Sequence, residues 1–197
     1  MVIPVIDLAQ ALAPGAVRST EVAQQVRQAA MASGFFYIRN HGVPATLLAQ
    51  QFEAARALMA LPAARREALS IRHSPLMRGF EGLGEQTLDA DAAPDLKESF
   101  YCGSAYPDDH PYVRAGYQTY GPSQWPDELP GVHPQCQAYI AAMNRLSIRL
   151  MQLMALSLGL PEDYFDACCR EPMVTLRMIR YPAHPEGADE RTFGAGA

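Results

Sequence analysis

The sequence predicts an α+β fold in which helices come first and the main strand comes late. Of the 197 residues, 49% are hydrophobic and 19% are charged, a balance typical of a chain with a packed core. Apolar residues recur at helical spacing in several stretches before residue 160. The longest β-like run, Val174–Tyr181, stands near the end and is followed by Pro182.

Short strands and amphipathic helices alternate at the start of the chain. The β-branched run Ile3–Ile6 predicts an edge strand. Ser19 or Thr20 can cap a helix over 21–31, and Gly34 is expected to end it because glycine adopts the left-handed conformation without strain.

An aromatic and β-branched run, Phe35–Arg39, predicts the next strand, and Asn40–Pro44 a turn. The following helix runs to Met59, and Pro62–Ala68 reads as a short helix. Apolar residues spaced by three and four are expected on the buried face of the longer helix: Leu48, Phe52, Ala55 and Met59.

Glycine and proline interrupt residues 71–130, which predicts a long irregular connection with one strand at Lys97–Tyr101. A connection of this length is usually functional. A long helix over 134–158 follows, with Gly159 after its end and a short helix from Pro161 to Asp166. Its apolar stripe resembles a coiled coil but breaks early, so a core helix is favoured over a coiled coil.

Alternation along Val174–Tyr181 places Arg177, Ile179 and Tyr181 on one face of the strand. An arginine fork and a phenol can together hold a carboxylate. The alternative is that both are surface side chains of a half-exposed strand. The residue pattern leaves these two interpretations open.

Composition excludes several classes of protein. The net charge is −5 with no basic block, which argues against nucleic acid as a partner, and no run approaches the roughly 18 apolar residues of a membrane span. We see no secretory signal and expect a cytoplasmic protein. The four cysteines lack metal-binding spacing and are expected to be free thiols in or near the core: Cys102, Cys136, Cys168 and Cys169.

Motifs for nucleotide binding or a serine nucleophile are absent from the sequence. A non-haem iron site needs two histidines and a carboxylate. His184 and Glu186 form the H-x-[DE] match, but three-residue patterns are common by chance. We expect His41 to be a hydrogen-bonded turn residue and His110 to lie in a solvated loop.

A series of motifs occurs in a characteristic order along essentially the whole chain. It resembles the isopenicillin N synthase-like family of 2-oxoglutarate- and Fe(II)-dependent oxygenases, and within it bacterial ethylene- and succinate-forming enzymes and their relatives. The residues that carry the resemblance are Ile3–Leu8, Ser33–Pro44, Arg78–Phe80, Asp95–Phe100, Trp125–Pro126, Leu158–Pro161 and Leu176–Pro182.

The resemblance implies a helical N-terminal region over 1–120. It also implies, over 121–197, the long helix and the start of a double-stranded β-helix (jelly-roll) core, incomplete in this chain. The family's iron-binding H-x-D motif, and the 2-oxoglutarate-binding R-x-S motif that follows it in the family, are not found in that order within the 197 residues. We therefore expect the iron ligands to lie beyond residue 197 and assign no catalytic and no metal residue within the chain.

Carried over residue by residue, the resemblance implies cofactor-binding roles for Tyr181 and Arg177. It implies substrate-binding roles for Arg78, Phe80 and Phe100. The implied cofactors are Fe(II) and 2-oxoglutarate, and the partners are O₂ and a small-molecule substrate, with neither nucleic acid nor membrane. An oligomeric state is not implied. Two alternatives stay open: an O₂-dependent oxidative cyclase without 2-oxoglutarate, and a catalytically inactive fragment.

Overall fold

A computed structural model describes residues 2–13, 15–16, 18–85 and 96–183. Within them, no helix has both the length and the apolar character that a bilayer span requires. The main elements are β1 (Val5–Asp7), α1 (Ser19–Ala32), β2 (Tyr37–Arg39), α2 (Ala45–Met59), α3 (Ala63–Ala68), β3 (Gly79–Glu81), β4 (Glu98–Gly103), α4 (Pro111–Arg114), α5 (Val132–Ser157) and β5 (Thr175–Arg180).

The chain divides into two compact units. The first combines Met1–Leu48 with Ala141–Pro172, and the second combines Ala49–Ile140 with Met173–Ala197. Each unit therefore contains residues from both of the regions that the family resemblance predicted. The predicted division into 1–120 and 121–197 stays a prediction.

In the first unit, β1 and β2 pair in parallel, with Ile6 opposite Ile38. Helix α1 and the second part of α5 enclose an apolar core with these strands, because each helix turns an apolar stripe inward. The fully buried members of this core are Ile6, Leu8, Ala11, Val22, Val26, Ala29 and Leu153.

Arg149 on α5 is the main buried cation of the first unit. Its guanidinium donates to the carbonyl of Ala11, to Ser19 Oγ at 2.6 Å and to Gln152 Oε1 at 2.9 Å, and it pairs with Glu162. The expected capping role of Ser19 or Thr20 is wrong. Ser19 is the first helical residue, and its hydroxyl instead accepts a hydrogen bond from Arg149.

In the second unit, β3, β4 and β5 form an antiparallel sheet with β4 in the middle. Phe100 on β4 lies opposite Phe80 on β3 and Met178 on β5, so all three point to the same face. Helices α2 and α5 cover this face. The buried residues are Ala54, Leu58, Met59, Leu61, Phe80, Phe100, Cys102, Val132, Cys136 and Met178.

The predicted apolar stripe of α2 is partly wrong. Phe52 is 66% exposed, whereas Gln51 is buried. Gln51 Nε2 lies 3.2 Å from Met178 Sδ and 3.5 Å from Cys136 Sγ. The helix is therefore rotated so that an amide whose nitrogen faces two sulfur atoms occupies a core position that a pattern of apolar residues cannot identify. The Oε1 atom of Gln51 is buried without a hydrogen-bond partner among the described residues.

Further expectations about local structure have mixed outcomes. His41 is a hydrogen-bonded turn residue, as expected, because its Nδ1 accepts from the amide of Val43. His110 does not lie in a simple solvated loop: it caps α4 by accepting from the amide of Tyr112. The helix predicted from Pro161 to Asp166 is wrong, since turns precede a 3₁₀ helix at Asp166–Cys169.

The expectation of core thiols holds for Cys102 and Cys136, which are fully buried. It is wrong for Cys168, which is exposed. The 3₁₀ helix that carries Cys168 has no buried residue. Adjacent cysteines on a short surface helix point in different directions, so one of them readily faces solvent.

Phe100→Ala should lower the free energy of unfolding by about 4 kcal/mol, because it empties a fully buried aromatic site against Phe80 and Trp125. The matched control is Phe52→Ala, which should cost less than about 0.5 kcal/mol at its exposed position. Urea unfolding followed by the fluorescence of the single tryptophan measures both. Equal losses for the two variants would contradict this assignment of the core.

Candidate functional site

The sheet of the second unit has a polar face opposite its core face. Tyr101 and Ser99 on β4 alternate with the buried Phe100, and they lie opposite Arg177 and Ile179 of β5. The predicted alternation of β5 is thereby confirmed for Arg177 and Ile179. We call this side of the sheet the polar face.

Arg177 is held in place on the polar face by its neighbours across the sheet. Its Nε donates to Ser99 Oγ at 3.0 Å, and its Nη2 lies 3.5 Å from Glu81 Oε2. The guanidinium carbon lies 4.9 Å from the centre of the Tyr101 ring, a cation–π geometry. The side chain is 28% exposed, and Glu81 is its carboxylate partner on this face.

Tyr101 connects the charges of the polar face. Its hydroxyl donates to Glu81 Oε2 at 2.8 Å. Burial, with help from the Glu81 carboxylate, raises the pKa of Tyr101 to about 12, although Arg177 acts in the opposite direction. The phenol therefore stays protonated at neutral pH and serves as a hydrogen-bond donor.

The structure does not bring all the predicted site residues together. Tyr181 directly follows β5 and is 44% exposed, whereas Arg78 is 1% exposed. Phe80 and Phe100 lie on the core face with ring centres 4.8 Å apart. The contacts found for Arg78, Phe80 and Phe100 are with protein atoms, and their substrate-binding roles stay predictions.

Sequence reasoning missed Glu81, Ser99 and Tyr101 as partners of Arg177. Alternation within Lys97–Tyr101 could have placed Ser99 and Tyr101 on one face. The position of Glu81 depends on the pairing of β3 with β4, which local sequence does not specify.

A pocket of about 170 Å³ lies at the β3 edge of the sheet. Its lining includes four carboxylates and one guanidinium, from Glu67, Glu81, Glu85, Glu98 and Arg66. Each of these carboxylates is paired with an arginine, so the pocket offers no arginine reserved for a dicarboxylate ligand. The pocket includes neither Arg177 nor Tyr181.

The described residues do not fit an iron site. Among them, no three His, Cys, Asp or Glu side chains are close enough to hold a metal ion. The H-x-[DE] pair of His184 and Glu186 lies outside the described residues. For 2-oxoglutarate, the polar face offers a guanidinium at Arg177 that Glu81 already pairs, and the phenol of Tyr181 comes directly after β5.

The raised pKa of Tyr101 is testable by alkaline titration. The difference in tyrosinate absorbance between the wild type and Tyr101→Phe should have its midpoint at about pH 12, two units above the ordinary value of 10.0. The protonated phenol favours folding, so this stabilisation is present below pH 10 and is lost as the pH rises through 12.

Rapid pH jumps should be used, so that ionisation is read before unfolding. The matched variant is Glu81→Gln, which removes a carboxylate that raises the pKa. In this background the Tyr101 midpoint should fall below that of the wild type. A wild-type midpoint near 10 would contradict both the burial of this phenol and its hydrogen bond to Glu81.

Comparison with known proteins places the chain among oxygenases. Residues 3–128 match the family model of the N-terminal region of non-haem dioxygenases, described as non-haem dioxygenase in morphine synthesis N-terminal. A 2-oxoglutarate-Fe(II) type oxidoreductase from Emericella nidulans is 32% identical, with 98% of this chain and 57% of the relative covered. Isopenicillin N synthase from Streptomyces clavuligerus is also 32% identical, with 91% and 55% covered.

Solved structures show the same fold. A 2OG-Fe(II) oxygenase family protein from Caulobacter crescentus superposes with a TM-score of 0.81 at 20% identity, covering 97% of this chain and 59% of that one. A full-length protein from Neurospora crassa, solved in complex with alpha-KG, gives 0.73 at 23% identity, covering 92% and 55%.

The chain thus spans somewhat more than half the length of these relatives. The family model covers most of the chain, and the relatives align along nearly all of it. The α+β fold of this chain matches part of the fold of these structures. The chain therefore belongs to the isopenicillin N synthase-like family of 2-oxoglutarate- and Fe(II)-dependent oxygenases.

Proposed function

We propose that these residues belong to a non-haem Fe(II)- and 2-oxoglutarate-dependent oxygenase that acts on a small molecule in the cytoplasm. The family match over residues 3–128 is the observation that carries the proposal. The chain covers 57% of a 32% identical relative, and its described residues hold no metal-ligand cluster. We therefore propose that the iron ligands and the rest of the jelly roll lie beyond residue 197.

Iron and 2-oxoglutarate, when bound, activate O₂ for attack on a C–H bond of the substrate. The residues of this chain bind and orient. Tyr181 supplies a half-exposed phenol to a carboxylate oxygen. A carboxylate that approaches Arg177 has to compete with Glu81, which makes Arg177 the weaker of the two anchors unless Glu81 moves.

An O₂-dependent oxidative cyclase without 2-oxoglutarate is the second candidate. The observation that favours it is the 32% identity with isopenicillin N synthase over 91% of the chain. The Arg177–Glu81 pair is compatible with this candidate, because the cyclase needs no dicarboxylate at that position.

Turnover of 2-oxoglutarate separates the two candidates. The protein from the full reading frame, reconstituted anaerobically with Fe(II), should form succinate from 2-oxoglutarate on exposure to air, slowly even without a substrate. The control is the same protein without iron. O₂ consumption with a small-molecule substrate but without any succinate would favour the cyclase and contradict the first candidate.

The placement of the iron ligands has its own test. The polypeptide of residues 1–197 should show no stoichiometric Fe(II) binding in anaerobic titration calorimetry, because its described residues lack a ligand set. Stoichiometric binding at micromolar affinity would contradict this placement. Binding would also direct attention back to His184 and Glu186.

Tyr181→Phe should raise the dissociation constant of 2-oxoglutarate about fivefold, the loss of roughly one hydrogen bond to the cosubstrate. Tyr164→Phe is the matched control, since this tyrosine is 57% exposed and lies in the first unit. Anaerobic titration of the Fe(II) protein from the full reading frame measures both constants. Equal affinities in the two variants would remove Tyr181 from the cofactor site.

A further inference from the structure

Arg78 is a buried cation that no described carboxylate neutralises. The residue is 1% exposed, and within the described ranges its side chain hydrogen-bonds only to uncharged oxygen atoms. Its Nε lies buried without a hydrogen-bond partner. Desolvation lowers the pKa of Arg78 below its usual value. A buried charge of this kind is costly unless it is well hydrogen-bonded, so its retention calls for a reason.

The hydrogen bonds of Arg78 join segments that are far apart in the sequence. Nη2 donates to the carbonyl of Thr119 at 2.6 Å and to that of Val174 at 3.2 Å, and Nη1 lies 3.5 Å from Thr175 Oγ1. One planar group therefore connects the turn before β3, a loop before α5 and the beginning of β5. A lysine ammonium lacks the planar fork that makes such a connection.

Gly103 provides the surface on which this guanidinium lies. A Cβ atom built on Gly103 would overlap Nη1, Nη2 and Cζ of Arg78. Gly103 is two residues beyond Tyr101 on β4 and opposite Thr175, so its missing side chain would point to the polar face. The Arg78 guanidinium thus covers one end of the same face that carries Arg177.

The loop that Arg78 holds is rich in aromatic rings. We call residues 104–121 the aromatic loop. Tyr120 lies 5.0 Å from both Tyr106 and Tyr112, measured between ring centres, and Tyr112 lies 5.7 Å from Tyr117. Next to Tyr120, Thr119 has a φ of 78°, a conformation that a β-branched residue adopts only when its surroundings impose it.

We propose that Arg78 is a positioning residue that fixes the aromatic loop at the Gly103 end of the polar face. The charge is retained because a flat guanidinium can bond Thr119 and Val174 at once while it lies against a glycine. By fixing this loop, Arg78 determines which small molecules fit beside Arg177, although Arg78 itself does not contact them. This last role depends on the proposed function, whereas the clamp itself does not.

The test uses hydrogen exchange of the folded protein, which requires neither iron nor a substrate. The variants are Arg78→Met, Arg78→Lys and Gly103→Ala, together with the double variant Arg78→Met/Gly103→Ala. The probes are the amides of Tyr117 and Tyr120, which are hydrogen-bonded within the loop. The reference amides are those of Phe100 and Met178 on the core face of the sheet.

Arg78→Met should speed exchange at the loop amides by about tenfold or more, the loss of hydrogen bonds from a charged donor, and leave the reference amides unchanged. Arg78→Lys should behave in the same way, because charge alone cannot bridge the two carbonyls. Gly103→Ala alone should speed exchange at the loop amides as much as either arginine variant does. In the Arg78→Met background it should speed that exchange little further. The near-ultraviolet circular dichroism of the tyrosines should weaken in parallel.

Unchanged loop exchange in Arg78→Met would overturn the proposal. Full rescue by Arg78→Lys would overturn it too, since the charge would then suffice without the fork. An equal effect of Gly103→Ala with and without Arg78 would show that the glycine serves another purpose. Thr175→Val, which removes only the longest contact, should give a smaller increase in the same amides and keeps the test decisive if Arg78→Met does not fold.

Discussion

The middle position of β4 is the constraint from which the rest of the second unit follows. Both edges of this strand are paired, so its register fixes β3 and β5 at the same time. Phe100 and its neighbours on the core face bury apolar area that a slip of one residue would expose to solvent. The same register sets Arg177 opposite Tyr101, and the polar face is therefore stabilised by the core on the other side of the sheet.

Two arginines on the polar face are compensated in different ways. Arg177 has a carboxylate beside it in Glu81, whereas Arg78 relies on the carbonyl dipoles of Thr119 and Val174. A carboxylate partner can be displaced by a competing anion, because one ion pair is exchanged for another. Carbonyl partners belong to the backbone, so displacing them would unfold a loop. Arg177 is consequently suited to an exchangeable ligand and Arg78 to a permanent clamp.

The spacing of apolar residues predicted those elements whose buried face is set by their own sequence. The alternation of Val174–Tyr181 and the long helix α5 are examples. The spacing failed where a polar group has a partner elsewhere in the chain. Gln51 takes a core position on α2 that the pattern gave to Phe52, because sulfur atoms of other elements accept hydrogen bonds from its amide nitrogen. The burial of Arg78 was equally invisible, since its acceptors lie 41 and 96 residues further along the chain.

The length of β5 separates Tyr181 from the Arg78 clamp. Thr175, beside the Arg78 clamp, and Tyr181 are six residues apart, which corresponds to about 20 Å of extended strand. A five-carbon dicarboxylate is much shorter than this distance, so one such molecule cannot contact Tyr181 and the clamp together. A cosubstrate held by Tyr181 would therefore leave the clamped end of the face to a second molecule. The aromatic loop would then border the substrate and not the cosubstrate.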